Sequence, residues 1–247
     1  MNRTQQRALV TPKVKICGIT TMKEADWLNA AGADYAGFVF YEKSKRNVSM
    51  MDAVMIKKSL YPSVKTVAVT VSPTVEELRA IEIAGCAILQ VHKELSLEVL
   101  RECKLPIWRA FNIGVLADVQ KPEDGGTQAD GKSGKEDQTQ ARESEDEKKE
   151  RQQLENTRIE AYVLDGIEFG SGKTFNWNSG NAAQIRALFR DKKLVLAGGL
   201  TPSNVAEGIE IFRPDIVDVS SGVEKEYGSG KDEIKIQQFI SEVRKNG

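Results

Sequence analysis

A chain of 247 residues with 35 lysines and arginines against 36 aspartates and glutamates carries a formal net charge of -1. That balance excludes the broad basic field that concentrates a protein on nucleic acid or acidic lipid, and no stretch approaches the ~18 consecutive apolar residues of a membrane span. Three widely spaced cysteines, Cys17, Cys86 and Cys103, beside a single histidine outline neither a disulfide framework nor a Cys/His zinc site, which fits a reducing cytoplasm.

Residues 1–12 are polar, carry Arg3 and Arg7 without the apolar core of a signal peptide, and read as a loose extension. From there short β-branched runs recur at Val14 to Cys17, Tyr35 to Phe40, Thr66 to Val71, Ala87 to Val91, Ile107 to Phe111, Ala161 to Leu164, Leu194 to Ala197 and Ile216 to Val219. Helix marks lie between them: Thr21 before Lys23 to Ala31, Ser49 before Met50 to Leu60, Thr74 before Val75 to Ala84 with Gly85 closing it, and Thr201-Pro202 opening Ser203 to Phe212. Strand and helix alternate along the chain, which implies parallel strands with crossover helices. Eight such units in about 250 residues predict a closed (β/α)8 TIM barrel, one α/β domain over residues 13–247. An open doubly wound sheet is the alternative.

The fifth unit departs from this rhythm. Residues 118–158 hold almost no large apolar side chain and are crowded with Glu, Lys, Gln, Asp and Gly, so the segment is expected to bury no core face. Lys121 to Lys135 reads as a linker. Ala141 to Asn156 has good helix formers but only Leu154 as an apolar anchor, so the fifth barrel helix is expected to be replaced, frayed or solvated.

Side chains alternate along a strand, so a Cys17 that points into the barrel brings Lys15 with it one layer lower, while Val14 and Ile16 face the helices. A lysine inside a barrel needs an anionic partner. Strand eight closes beside strand one, which nominates Asp218, and a nearby cation is expected to lower the Cys17 thiol pKa. In isolation Cys17 would pass for a small buried hydrophobe and Asp165, after Ala161 to Leu164, for a turn residue. At the C-terminal ends of barrel strands they read as a base and an acid facing each other across the mouth.

The loop after Asp165 contains Gly170-Ser171-Gly172-Lys173-Thr174. A P-loop would need glycine where Ile167 stands, so the segment reads as a glycine-rich lid anchored by Phe175 and Trp177. Gly198-Gly199 after strand seven and Ser220-Ser221-Gly222 after strand eight occupy the two loops that commonly form a phosphate cup in such barrels. Arg46 sits after strand two, where it can fork onto a carboxylate or phosphate. His92 follows strand four on the same face, and a lone histidine leaves no serine triad and no His-rich metal site.

These residues resemble phosphoribosylanthranilate isomerase of tryptophan biosynthesis. The likeness rests on Lys-Ile-Cys-Gly-Ile-Thr at 15–20, Gly37-Phe38-Val39-Phe40 with Ser44-Lys45-Arg46, Leu-Ala-Gly-Gly-Leu-Thr-Pro at 196–202, Asp-Val-Ser-Ser-Gly-Val-Glu at 218–224 and Gly230-Lys231-Asp232. It implies an Amadori rearrangement of N-(5-phosphoribosyl)anthranilate to 1-(2-carboxyphenylamino)-1-deoxyribulose 5-phosphate, without metal or cofactor. By the same resemblance Asp165 is the general acid and Cys17 the general base. Gly198, Gly199, Ser220, Ser221 and Gly222 would hold the phosphate, Arg46 the anthranilate carboxylate, and Asp218 and His92 the sugar hydroxyls or the site lining. The sequence departs from the family pattern at Val91 and Lys93 around His92, at Phe169 and Ser171 in the lid, at Asn47 and at Asn176. Two rivals are a histidine-pathway isomerase, which works with two aspartates, and a catalytically silent phosphosugar-binding barrel whose charged insert recruits partners. The sequence names no protein partner.

Overall fold

The structure, a computed structural model, describes residues 11–112, 144–166, 182, 186, 187 and 191–245. The expected linker at 121–135 and the glycine-rich segment after Asp165, with Phe175 and Trp177, lie outside these residues.

Eight strands alternate with helices: β1 (Lys13–Cys17), α1 (Met22–Ala31), β2 (Tyr35–Val39), α2 (Met50–Ser59), β3 (Lys65–Thr70), α3 (Val75–Ile83), β4 (Ile88–Val91), α4 (Leu97–Glu102), β5 (Ile107–Asn112), α5 (Glu145–Arg158), β6 (Ile159–Asp165), β7 (Lys193–Leu196), α6 (Val205–Phe212), β8 (Ile216–Val219) and, after a 3-10 turn at Ser221–Val223, α7 (Glu233–Lys245). Every strand runs parallel to its neighbours and β8 pairs back onto β1, with Lys15 opposite Asp218. That pairing decides for the closed barrel over the open sheet.

Local chemistry explains most element ends. Thr21 and Thr74 begin α1 and α3 with reciprocal capping boxes to Glu24 and Glu77, and Ser49 caps α2. Gly32, at φ 75°, closes α1 in the left-handed region that a side chain would resist. The helix expected from Ser203 begins two residues later, at Val205. Asn204 turns its side chain back, accepting from the Thr201 N–H at 2.7 Å and donating to the Gly199 carbonyl at 3.0 Å. The residues before it are thus committed to shaping the loop after β7.

The fifth unit bears out the reading of a solvated helix anchored by Leu154 and adds how that helix docks. Residues Glu145–Arg158 form a helix that runs directly into β6, capped by Ser144 with a box to Glu147 and with three acids in its first turn. It buries no residue fully, yet it docks. Leu154 packs against the core, Arg151 and Arg158 donate to the Leu95 and Cys103 carbonyls at 2.7 and 2.6 Å, and Arg101 of α4 forks onto Glu150 at 2.5 and 2.8 Å. Guanidinium groups satisfying backbone carbonyls replace the apolar stripe that an amphipathic reading demands.

Two apolar layers flank the sheet. Val14, Ile16, Phe38, Leu89, Phe212 and Phe239 fill the space between strands and helices, while Val67, Val69, Trp108, Val163, Val195 and Ile216 fill the barrel. Tyr35 meets Trp108 edge-on, with ring centroids 5.1 Å apart. The alternation along β1 is as expected, with Val14 and Ile16 outside and Lys15 and Cys17 inside. Lys15, fully buried, donates to Asp218 at 2.5 Å and to Gln90 at 3.0 Å.

Lys15→Met leaves the Asp218 carboxylate without its cation, and urea unfolding should show a loss of about 3 kcal/mol or more. Lys15→Met combined with Asp218→Leu should recover most of that loss. A double variant no more stable than the single one would mean that the pair does not account for it.

Candidate active site

The ends of β1 and β6 bring the two candidate catalytic groups to one cavity. Cys17 closes β1 opposite Gly37 of β2. A Cβ on Gly37 would stand 3.0 Å from both Cα and Sγ of Cys17 and 3.2 Å from Cε of Lys15, so the missing side chain makes room for both. Gly18 then turns the chain outward at φ 80°, its N–H donating to the Gly37 carbonyl at 2.9 Å, and the Arg46 side chain lies across it.

Asp165 ends β6 nearly buried, with Oδ1 accepting from the Gly166 N–H at 2.9 Å. Gly198 follows β7 at φ 79°, and a Cβ there would meet the Gly166 nitrogen at 2.2 Å and Asp165 Oδ1 at 2.9 Å. Only glycine lets these two loops close upon the carboxyl.

Cys17, Asp165, Arg46, His92, Asp218, Gly198, Gly199, Ser220 and Ser221 all line one cavity of about 260 Å³ at the C-terminal mouth of the barrel. Gly222 is not part of that lining. It sits against the loop after β7, where a Cβ would lie 1.9 Å from the Leu200 carbonyl oxygen, so its role is close fit between the two loops. Ser220 reaches the cavity, but its hydroxyl is committed, donating to the Cys17 carbonyl at 3.0 Å. Among the described residues, no three His, Cys, Asp or Glu side chains converge as a metal site requires.

The chain matches the family model described as N-(5'phosphoribosyl)anthranilate (PRA) isomerase over residues 14–130 and 127–242. It is 36% identical to N-(5'-phosphoribosyl)anthranilate isomerase of Streptococcus mutans, over 94% of this chain and 99% of that one. The phosphoribosyl anthranilate isomerase of Thermotoga maritima superposes with a TM-score of 0.68 at 31% identity, covering 95% of this chain and 99% of that one. A further isomerase structure, in complex with reduced 1-(o-carboxyphenylamino)-1-deoxyribulose 5-phosphate, gives 0.66 at 30% identity over 95% and 99% of the two chains. This chain belongs to the phosphoribosylanthranilate isomerase family.

Against that family pattern, the changed residues beside His92 leave its surroundings coherent. Gln90 accepts from Lys15 through Oε1, so its amide nitrogen faces His92 Nε2, 2.9 Å away, and donates to it. The imidazole is therefore neutral. Burial, and then the positive charges of Lys15 and Arg109, hold its pKa down to about 4.

One electrostatic expectation is overturned. Burial dominates at Cys17 and pushes its thiol above the ordinary value. Lys15 works in the opposite direction, but Asp218 lies close to it and adds to the rise. Burial opposes the Lys15 charge too, yet Asp218 and Cys17 outweigh it and raise the ammonium pKa.

The reading of single strands missed Gln90, Glu224 and Lys231 as parts of the site's support, although all three stand in or beside the quoted family motifs. Glu224 accepts from Arg46 Nε and from Lys45 at 3.0 Å. Lys231, almost wholly buried, donates to the Ser220 carbonyl at 3.0 Å. The positions of Glu224 and Lys231 depend on a loop that folds back beyond β8, which leaves no periodic signal in sequence.

The folded protein holds His92 neutral down to about pH 4, whereas an unfolded histidine takes up its proton near 6.5. Between these values the unfolded state binds more protons, so stability is lost as the pH falls through that window. Urea unfolding of wild type and His92→Gln across the window should give a shallower loss for the variant. Equal slopes would show that the folded site does not exclude the imidazolium.

Proposed function

We propose that this chain catalyses the Amadori rearrangement of N-(5-phosphoribosyl)anthranilate to 1-(2-carboxyphenylamino)-1-deoxyribulose 5-phosphate, a cytoplasmic step of tryptophan biosynthesis, with Asp165 as general acid and Cys17 as general base. The observation that carries the reading is that one thiol and one carboxyl, each ending a barrel strand, line a single cavity in a member of this family.

Asp165 gives its proton to the furanose ring oxygen as the bond from that oxygen to C1 breaks, leaving an open-chain iminium. The iminium withdraws electrons and acidifies the C2 proton, which the Cys17 thiolate removes. The enolamine so formed loses its hydroxyl proton and gains one at C1, giving the ketone, so the reaction is a net isomerisation needing no cofactor.

Recognition follows from charge and backbone geometry. The turns at Gly198, Gly199 and Ser221 supply the phosphate cup; Gly222 serves it by holding the loops together, and Ser220 through its backbone. Arg46 forks onto the anthranilate carboxylate. Asp218 lines the cavity with one carboxylate oxygen held by Lys15 and the other buried without a hydrogen-bond partner, so a small rotation of the carboxyl would let it accept from a sugar hydroxyl. Neutral His92 lines the wall beside it.

Freshly made phosphoribosylanthranilate should lose its fluorescence rapidly with wild type. Cys17→Ala and Asp165→Asn should each keep ligand binding while lowering turnover by about a hundredfold or more. Binding without decay in the wild type would instead indicate a silent barrel.

Because kcat/KM reports the free enzyme and burial keeps the empty-site thiol protonated, kcat/KM should climb with pH across the neutral and mildly alkaline range. Cys17→Asp should move that limb to the acid side. A wild-type profile flat over the whole range would remove Cys17 as the base.

A further inference from the structure

Arg46 does not hang free at the cavity rim. Its Nε donates to Glu224 Oε1, its backbone N–H donates to Ser44 Oγ at 3.1 Å, and its aliphatic stem crosses Gly18, where a Cβ would lie 2.6 Å from Cδ. A guanidinium held by Nε keeps its outer edge, Nη1 and Nη2, as the fork available to a planar anion. Only 15% of the Arg46 side chain is exposed, and the residue lines the cavity.

Glu224 is itself fixed. Oε1 also accepts from Lys231 at 3.3 Å and Oε2 from Lys45 at 3.0 Å. Desolvation acts against the charged carboxylate, yet Arg46, Lys231 and Lys45 outweigh it and hold its pKa down to about 2. Lys231 is anchored in turn: its N–H donates to Glu24 Oε1 at 2.7 Å, and Glu24 Oε2 receives the Thr20 and Thr21 N–H groups at the start of α1. Three cations surround one carboxylate, so the cluster orients Arg46 without cancelling the positive charge that an anionic ligand needs.

We propose that Glu224, braced by Lys231, is a positioning residue for Arg46 and thereby sets the preference for an aminoaldose whose aromatic ring bears an ortho carboxylate. This rests on the reading above in which Arg46 receives that carboxylate. Glu224 does not touch the ligand; it fixes the plane of the group that does.

The test uses titration calorimetry of the full chain with two ligands: reduced 1-(o-carboxyphenylamino)-1-deoxyribulose 5-phosphate and its phenylamino counterpart lacking the carboxylate. Glu224→Gln should weaken the first about tenfold and leave the second within about twofold, because only the first requires an oriented fork. Arg46→Met should discriminate in the same sense and more strongly, and Glu224→Gln added to Arg46→Met should cost nothing further. In turnover, the Glu224→Gln loss should fall on KM more than on kcat, and Glu224→Asp should restore part of the affinity. If Arg46→Met weakens both ligands equally, the carboxylate reading of Arg46 fails. If Arg46→Met discriminates while Glu224→Gln does not, or if Glu224→Gln weakens both ligands alike, the positioning role is overturned.

Discussion

A single buried ion pair organises this barrel. Lys15 and Asp218 face one another where the first strand meets the last, and neither charge is tolerable there alone. Through Gln90 the pair reaches across to β4 and fixes the protonation of His92. Through burial and proximity it sets the electrostatics of Cys17, directly above. The side chain that closes the barrel therefore also lays the floor of the active site.

Above that floor the site is made by omission as much as by side chains. Gly37 leaves space for the thiol, Gly198 lets the β7 loop lie against the Gly166 backbone and the Asp165 carboxyl, and Gly222 lets the β8 loop meet Leu200. Each absent Cβ would stand within about 3 Å of backbone or a catalytic side chain. The chemistry needs two ionisable groups in one small cavity, and these glycines let three loops from distant parts of the chain approach closely enough to form it.

Much of this was legible in the sequence because it obeys local rules. Strand alternation placed Lys15 and Cys17 inside, β-branched runs marked all eight strands, and Thr21, Ser49 and Thr74 marked helix starts. What escaped was non-local. The docking of α5 depends on Arg101, Arg151 and Arg158 finding carboxylate and carbonyl partners, which an apolar-periodicity argument does not register. The thiol pKa escaped because the depth at which Cys17 is buried, which outweighs the attraction of Lys15, is a property of the closed barrel and not of the strand. Glu224 and Lys231 escaped because a fold-back beyond the last strand brings them beside Arg46.

The seam between β1 and β8 has a consequence for how the chain must be made. Lys15 is synthesised 203 residues ahead of its counter-ion. A barrel sealed without β8 would leave the buried ammonium with Gln90 as a neutral partner and no counter-charge, at a cost of several kcal/mol. The native pair thus favours closure through β8, the strand that carries the counter-charge, over closure through any earlier strand.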